Sequence, residues 1–357
     1  MKISVRGGAV YIGSSDIYGK LYEKYKWMGF LDISQGEESL EREISRLGVR
    51  EVYVLEEDNY VANRLLWSCN CVETIYVINS ENPYTPEKRK GKISSLKLWE
   101  YIAAKGKDEI ESGGWYSSYD NQPFSAQEMK EYADNIYGKL KKYLKESCVI
   151  WEIGCASGIS MYRIAPECKL YIGTDMAKMA IQRNAKYIKE KKMENIILYQ
   201  CSADEIAEKW RSEGKEEIDI VILNSVVQYF PGINYLKDVI EQAYILLDGT
   251  GIIYIGDIMD LDKKILLEQS LRQYKAQNGF VKTKTNLTEE LFLSKSYFKY
   301  LQQLLPWIEK VEISDKIAVI ENEITKCRYD VILKVDKNNP VIVREIINKR
   351  QTVCHLQ

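Results

Sequence analysis

The chain has 357 residues, with 50 basic against 52 acidic residues, a net charge of −2 and 45% hydrophobic residues. These values suit two modest domains, or one domain with additions, and the absence of a polybasic block argues against a nucleic-acid partner. The sequence has no apolar run of the ~18 residues that span a bilayer, and no apolar N-terminal core typical of a signal peptide, so we expect a cytoplasmic protein with no membrane partner.

Two residue counts restrict the chemistry. The one histidine, His355, lies at the C-terminal end of the sequence, which disfavours a histidine base, a Ser-His-Asp hydrolase and a His-ligated metal centre. The eight cysteines include one close pair, Cys69 and Cys71, without a second pair to complete a zinc site. We therefore expect no metal, and cysteines that serve as small buried hydrophobic residues in a reducing cytosol.

Residues 1–80 alternate between strand and helix patterns, which predicts a small α/β subdomain of unknown role. The patterns predict strands at 9–13, 30–33, 51–55 and 74–78, and helices at 16–27, 37–47 and 60–69. The segment 81–96 contains two prolines and a basic run, which is typical of a linker.

Residues 97–148 are predicted to form a helical lid or substrate segment. Ser125 and Glu128 fit the S-x-x-E capping box, and this box opens a helix predicted over 126–144. The preceding stretch, 113–123, is rich in glycine and aromatic residues, among them Trp115 and Tyr119. This composition favours a lid over the substrate, and a packed aromatic connector is the alternative.

The most informative motif is Glu152-Ile-Gly-Cys-Ala-Ser-Gly158, at the end of a predicted strand that begins at residue 149. A second predicted strand, 170–175, follows it and ends in Asp175. A strand, a loop of small residues, a helix and a second strand with a terminal acid are typical of nucleotide-type cofactor sites. Small residues let the cofactor approach the backbone, and the acid can bind both ribose hydroxyls. The spacing E-x-G-x-A-x-G favours S-adenosylmethionine over a dinucleotide, whose G-x-G-x-x-G spacing is absent.

Strands and helices alternate after this motif. The strand that begins at residue 218 leads into Asn224, Ser225, Gln228 and Tyr229, at the edge where open parallel sheets bind their ligands. Two late predicted strands, at 311–314 and 327–335, indicate an antiparallel hairpin that closes the domain. The predicted strands between the motif and this hairpin are 196–201, 218–223 and 252–260, and the predicted helices are 176–192, 234–247, 262–276 and 296–305.

Residues 95–336 resemble the methyltransferase domains that are embedded in nonribosomal peptide synthetases and in modular polyketide synthases, including hybrid and trans-acyltransferase systems. The resemblance is carried by the glycine motif, the strand 171–175, and the stretches 113–119, 223–231, 256–257 and 321–330. It implies an α/β fold of the Rossmann-like class I type: a seven-stranded, mostly parallel sheet with a final antiparallel hairpin and a helical lid. The methyltransferase core would span 149–336, followed by a tail at 337–357.

The resemblance also implies S-adenosylmethionine as the cofactor and S-adenosylhomocysteine as the product. Family members usually have glycine at the position of Ala156. By position, the cofactor-binding residues would be Glu152, Gly154, Ala156, Gly158, Asp175, Met176, Ala203, Asp204, Asn224 and Ser225. The candidate catalytic residues are Tyr119, Gln228, Tyr229 and Glu323, and the candidate substrate residues are Trp115 and Asp257.

The implied reaction is methyl transfer to an oxygen or nitrogen atom of an intermediate that phosphopantetheine tethers to an acyl- or peptidyl-carrier protein, beside neighbouring synthase domains. A carbon acid needs a base, which related domains often supply as histidine. The core here has no histidine, so Glu323, Asp257 or a tyrosine would have to act, which favours N- or O-methylation over C-methylation. A freestanding small-molecule methyltransferase, a C-methyltransferase and a non-catalytic scaffold are the alternatives.

Overall fold

The structure is a computed structural model. It describes residues 8–15, 29–55, 69, 71–72, 74–78, 87–88, 96–213, 217–230, 232–279, 282–287 and 290–337. The chain divides into two compact units: Met1–Ser94 with Tyr229–Asp238 and Thr288–Leu291, and the remaining residues from Ser95 to Gln357. The predicted helix 16–27, nearly all of the predicted helix 60–69, most of the linker and the tail from residue 338 lie outside the described residues. The predicted domain boundaries therefore stay a prediction.

The first unit contains a five-stranded sheet in the order β2-β1-β3-β4-β5. Strands β1 to β4 are parallel to their neighbours, and the short β5 pairs antiparallel with β4. Every residue of β1 is buried, as expected for a strand that is covered on both faces. The predicted strands and the helix 37–47 are confirmed to within a residue or two. The elements are β1 (Ala9–Gly13), β2 (Gly29–Asp32), α1 (Glu37–Leu47), β3 (Glu51–Leu55), β4 (Thr74–Ile78) and β5 (Glu87–Lys88).

Three helices precede the sheet of the second unit: α2 (Leu96–Lys105), α3 (Glu109–Ser112) and α4 (Ala126–Leu140). The predicted capping box is confirmed, since the Glu128 backbone N–H donates to Ser125 Oγ and the Ser125 backbone N–H donates to Glu128 Oε2. Helix α4 ends at Leu140, four residues before the predicted end. Its buried face, which includes Tyr132 and Ile136, repeats every three to four residues and packs towards the core.

The second unit is built on a long sheet in the order β12-β13-β10-β9-β6-β7-β8, with the short β11 beside β10. The pairs along β10-β9-β6-β7-β8 are parallel, whereas β13 is antiparallel to both β10 and β12. The class I methyltransferase fold predicted from the sequence is confirmed by this order, with β11 as an unpredicted addition. The elements from residue 149 onwards are β6 (Val149–Ile153), α5 (Ile159–Ile164), β7 (Leu170–Asp175), α6 (Lys178–Lys191), β8 (Ile196–Gln200), α7 (Ile206–Glu213), β9 (Ile218–Asn224), α8 (Ile233–Leu246), β10 (Leu247–Asp260), α9 (Lys264–Asn278), β11 (Phe292–Leu293), α10 (Lys295–Leu304), β12 (Ile308–Asp315), α11 (Glu323–Cys327) and β13 (Arg328–Asp336).

The sheet order places the functional residues. The chain crosses from β6 to β7 and β8 on one side, and later to β9 and β10 on the other, so β6 and β9 flank a topological switch point. Ligands of open parallel sheets bind outside the carboxyl ends of the strands at such a point. Below this edge, Ile150, Tyr171 and Ile222 pack with Ile136 of α4 into a buried core. Within the part of the chain that is described, no helix combines the length and the apolarity that crossing a membrane requires.

Candidate active site

The loop after β6 has an unusual backbone. Gly154, Ala156 and Gly158 all have positive φ angles, of 74°, 42° and 84°. A Cβ atom at Gly154 would lie 2.8 Å from the Val226 side chain, and one at Gly158 would lie 2.5 Å from the Tyr162 ring. Both positions therefore need glycine for space as well as for conformation. Ala156 adopts the same left-handed conformation with a side chain, which is strained, and this explains why glycine is usual at its position in the family.

Asp175, at the end of β7, ties this loop to the neighbouring strand. Its Oδ2 accepts a hydrogen bond of 2.9 Å from the Ala156 backbone N–H, and its Oδ1 accepts one of 2.8 Å from the Ala177 backbone N–H. Burial raises the pKa of Asp175, and these backbone donors oppose the rise. A carboxylate has about four lone-pair sites, so both oxygens can still accept a hydrogen bond from ribose hydroxyls.

Glu152, one residue before the end of β6, is almost completely buried at 2% exposure. Its Oε2 accepts a hydrogen bond of 3.0 Å from the Tyr171 hydroxyl. Burial raises the pKa of Glu152 to about 8. Around neutral pH much of this carboxyl group is therefore protonated, and a cation bound beside it would favour the ionised form.

The end of β9 carries two polar residues that the fold ties to other elements. The Asn224 side-chain amide donates to the Tyr132 hydroxyl at 2.8 Å and to Ser160 Oγ at 3.1 Å. Ser225, with a φ of 57°, donates from Oγ to Asp257 Oδ2 at 2.8 Å. Tyr132 and Ser160 are site residues that the sequence analysis missed, because each lies on a helix whose pattern indicates only a buried face.

Asp257 lies at the centre of a buried charge network. Its Oδ1 is 2.9 Å from Lys316 Nζ, and its Oδ2 is 2.5 Å from a guanidinium nitrogen of Arg328. Asp330 continues the network to Lys316 at 2.8 Å and to Lys139 at 2.5 Å. Burial alone would raise the pKa of Asp257, but Arg328 and Lys316 outweigh it and hold the pKa below its ordinary value. Asp257 therefore stays ionised and orients Ser225, while its predicted contact with the substrate stays a prediction.

The candidate lid, residues 113–123, is fastened at Ser118 and Tyr119. Ser118 donates to Glu323 from its backbone N–H at 2.9 Å and from its hydroxyl at 2.8 Å. The Tyr119 hydroxyl lies 2.9 Å from Ser270 Oγ, and its ring packs edge-on against Tyr274 with the centroids 5.3 Å apart. The structure thus brings Tyr119 and Glu323 into one region, beside a cleft of about 560 Å³, and each makes contacts that hold this segment.

Trp115 lies against the glycine loop. Its ring centroid is 4.5 Å from that of Tyr132, which in turn contacts Asn224. The Trp115 indole N–H and the Ser157 hydroxyl are buried and have no hydrogen-bond partner among the described residues. Both lie 2.6 Å from the position that a Cβ atom of Gly113 would occupy, so two unsatisfied donors meet beside the loop. Sequence reasoning missed Ser157, although it lies inside the glycine motif.

The other predicted residues are more scattered. The Met176 backbone carbonyl accepts a hydrogen bond of 3.3 Å from Gln200, Ala203 is buried, and Asp204 is exposed. Gln228 is buried in the second compact unit, whereas Tyr229 belongs to the first. The structure thus gathers Glu152, the glycine loop, Asp175, Asn224, Ser225 and Trp115 through shared contacts.

Residues 144–309 match a family model described as a methyltransferase domain. This stretch is a methyltransferase domain. The sheet order is that of class I methyltransferases, whose methyl donor is S-adenosylmethionine, and the site fits this molecule. The glycine loop leaves space next to the backbone, the Asp175 carboxylate can accept from a ribose, and the unsatisfied donors of Trp115 and Ser157 suit a carboxylate.

The curated relatives of the methyltransferase domain are large synthetases. The chain is 30% identical over 235 residues to chondramide synthase cmdD of Chondromyces crocatus. This match covers 62% of this chain and 6% of that protein. It is 27% identical over 223 residues to a probable non-canonical nonribosomal peptide synthetase, CymA, of Salinispora arenicola, with coverage of 62% and 3%. It is 26% identical over 245 residues to the nonribosomal peptide synthetase asqK of Emericella nidulans, and this match covers 65% of this chain and 9% of that protein. The predicted resemblance is confirmed, and the chain spans less than a tenth of the length of each of these relatives.

Solved structures with a similar fold are more distant. The N-methyltransferase NodS of Bradyrhizobium japonicum WM9 is 14% identical with a TM-score of 0.42, covering 60% of this chain and all of that one. The magnesium protoporphyrin IX methyltransferase of Synechocystis PCC 6803, solved with bound S-adenosylhomocysteine, is 13% identical with a TM-score of 0.39, covering 68% and 94%.

Proposed function

We propose that this methyltransferase domain serves a nonribosomal peptide or polyketide assembly line. It methylates an oxygen or nitrogen atom of an intermediate that phosphopantetheine tethers to an acyl- or peptidyl-carrier protein. The observation that carries the proposal is the similarity to nonribosomal peptide synthetases over nearly two thirds of the chain. Because those relatives are many times longer than the matched region, the natural partners of this domain are neighbouring synthase domains and their carrier protein.

The cofactor supplies a methyl group on a positively charged sulfur, and the protein has to hold and orient it. We assign Asp175 to the ribose hydroxyls and Glu152 to the amino group at the methionine end, where the positive charge favours the ionised carboxylate. Trp115 and Ser157 would donate to the carboxylate at that end. Met176, Ala203 and Asp204 would border the adenine. Methyl transfer is an in-line displacement, so positioning of this kind supplies much of the rate enhancement.

Of the two acceptor atoms, the contacts of the candidate bases favour nitrogen. Asp257 is held ionised by two cations and is therefore a weak base. Both oxygens of Glu323 accept hydrogen bonds from Ser118, and the Tyr119 hydroxyl is paired with Ser270. An amine attacks in its neutral form and loses its proton afterwards, whereas a hydroxyl gains more from a base.

The direct test uses intact-mass measurement of carrier proteins. The full chain is incubated with S-adenosylmethionine and one of three carriers: aminoacyl-loaded, hydroxyacyl-loaded, or bearing bare phosphopantetheine. We expect the aminoacyl carrier to gain the mass of one methyl group in exchange for hydrogen, and the bare carrier to stay unchanged. Methylation of the free amino acid at the same rate as of the tethered one would instead support a freestanding enzyme. A chain that does not bind S-adenosylmethionine in titration calorimetry would be a scaffold.

A further inference from the structure

We propose that the side-chain carbonyl oxygen of Gln228 recognises the acceptor, by accepting a hydrogen bond from the N–H of the nitrogen that is methylated. This inference rests on the proposed function and adds to it a residue that selects the acceptor group. Three features of the structure support it. They are a buried oxygen without a hydrogen-bond partner, a chain of hydrogen bonds with a fixed direction, and a strained backbone conformation at two residues of that chain.

The first feature is the burial of the Gln228 amide. The side chain is 2% exposed, and its Nε2 donates to the Ser225 backbone carbonyl at 3.0 Å and to Ser225 Oγ at 2.9 Å. Its Oε1 is buried and has no hydrogen-bond partner among the residues that the structure describes. Native proteins satisfy nearly all buried polar atoms, so an unpaired carbonyl oxygen beside a cofactor site indicates a ligand that donates to it.

The second feature is that the hydrogen-bond chain has only one direction. Asp257 is ionised, because Lys316 and Arg328 contact it, so it can only accept the hydrogen bond that joins it to Ser225. The Ser225 hydroxyl proton is thereby committed to Asp257, and the hydroxyl oxygen must accept from Gln228. The nitrogen of the Gln228 amide therefore faces Ser225, and its oxygen faces away. The ionised state of Asp257 therefore fixes the orientation of the Gln228 side-chain amide.

The third feature is backbone strain at two partners of this chain. Ser225 and Asp257 have φ angles of 57° and 63°, in the left-handed region that residues other than glycine seldom adopt. Ser225 directly follows β9 and Asp257 lies in the neighbouring β10, and the Ser225 backbone N–H donates to the Gly256 carbonyl at 3.0 Å. Such strain persists only where the surrounding structure enforces it, and it is concentrated at functional sites. Here the enforced conformation places Ser225 Oγ where it accepts a hydrogen bond from Gln228 Nε2.

An oxygen that can only accept distinguishes between ligands by their chemistry. It pairs with the N–H of a neutral amine or amide, as it would with a hydroxyl, and repels carboxylate, ester and thioester oxygens, which have no proton to donate. When one N–H points at Gln228, the lone pair of the same nitrogen is directed elsewhere, towards the methyl group. The lone pair forms the new N–C bond as the S–C bond breaks, and the sulfur becomes a neutral thioether. The nitrogen of an amine acceptor is then positively charged and loses one proton to water.

The test compares Gln228→Met with wild type in the full chain. Methionine keeps the length of the side chain but offers no amide oxygen. We expect kcat/KM on the aminoacyl carrier to fall by about tenfold, with the dissociation constant of S-adenosylmethionine changing by less than about twofold. The matched control is Gln302→Met, because the Gln302 side chain also donates to a backbone carbonyl, that of Glu309 at 2.8 Å, and should leave kcat/KM unchanged.

Ser225→Ala is the second variant, because it keeps the Gln228 oxygen but removes the hydroxyl that orients it. We expect it to lower kcat/KM for the aminoacyl carrier, measured at saturating cofactor, by about threefold, since the amide then keeps only its hydrogen bond to the Ser225 backbone carbonyl and is held less firmly. Thermal unfolding of all three variants identifies any that fail to fold, and Ser225→Ala decides the matter if Gln228→Met is one of them. Equal kcat/KM for wild type and the folded variants would overturn the inference. So would a loss of cofactor affinity together with wild-type turnover at saturating cofactor.

Failure of the proposed function gives a different pattern of results. A wild-type chain that methylates free amines but no carrier-bound substrate would reject the assembly-line role. In that case Gln228→Met is measured on the free amine. A fall of about tenfold would support the role of Gln228, and an unchanged rate would reject it.

Discussion

The protonation of Glu152 should make cofactor binding depend on pH. The carboxyl group has a pKa of about 8 because it is buried, and we assign its ionised form to the amino group of S-adenosylmethionine. With this pKa, the ionised fraction is about 0.01 at pH 6.0 and about 0.24 at pH 7.5, so binding that requires the ionised form tightens by about 25-fold over this range. While the cofactor amino group stays protonated, affinity rises with pH, and binding near pH 7 releases a proton.

Titration calorimetry at several pH values tests this dependence, and buffers with different ionisation enthalpies reveal the released proton. Glu152→Gln should bind more weakly at pH 7.5 and show little change with pH. Glu190→Gln, which alters an exposed carboxylate on α6, is the matched control and should behave as wild type. Wild-type affinity that is flat between pH 6.0 and 7.5, or a Glu152→Gln variant that keeps the wild-type slope, would refute the assignment.

The same group affects stability with the opposite trend. The pKa of Glu152 in the folded chain is raised above its ordinary value of 4.5, so the unfolded chain loses this proton at a lower pH. The unfolded state therefore binds fewer protons between about pH 4.5 and pH 8, and the contribution of Glu152 to the free energy of unfolding falls as pH rises through this window. In urea unfolding without cofactor, Glu152→Gln should remove this part of the decline.

Three further substitutions, with Lys130→Ala as a control for one of them, test separate parts of the structure. Asp175→Ala should weaken S-adenosylmethionine binding by about 1–3 kcal/mol, since it removes a charged acceptor from the ribose, and unchanged affinity in calorimetry would contradict this role. Asp330→Asn removes the carboxylate that pairs with the buried Lys139 and Lys316, and it should lower the free energy of unfolding in urea by about 3–5 kcal/mol. Lys130→Ala breaks an exposed ion pair and should lower the free energy of unfolding by less than about 1 kcal/mol. Glu323→Gln weakens the hold on Ser118 and should speed chymotrypsin cleavage within 113–123 by about fivefold, and an unchanged cleavage rate would show that these hydrogen bonds do not restrain the segment.

The sequence by itself predicted the fold of the second unit and the class of its cofactor. These features depend on local patterns: a buried strand that leads into Gly154, a second strand that ends in Asp175, and a regular alternation of strands and helices. Such patterns act over a few residues, because each strand or helix has to bury one face and the loop has to keep its backbone open. The capping box of Ser125 and Glu128 was predictable for the same reason, since it lies within four residues of chain.

Only the tertiary structure decided how the side chains around the acceptor are paired. Ser118 and Glu323 are 205 residues apart in the chain, and Asp257 and Arg328 are 71 apart, so no local pattern indicates that they meet. From sequence alone Glu323 and Asp257 are both possible bases, because the sequence does not show which groups pair with a carboxylate. Folding supplied the partners, and with them the low basicity of Asp257 and the orientation of the Gln228 amide. A charge acquires its chemical role from the groups that the fold packs against it, and this packing is a property of the whole chain.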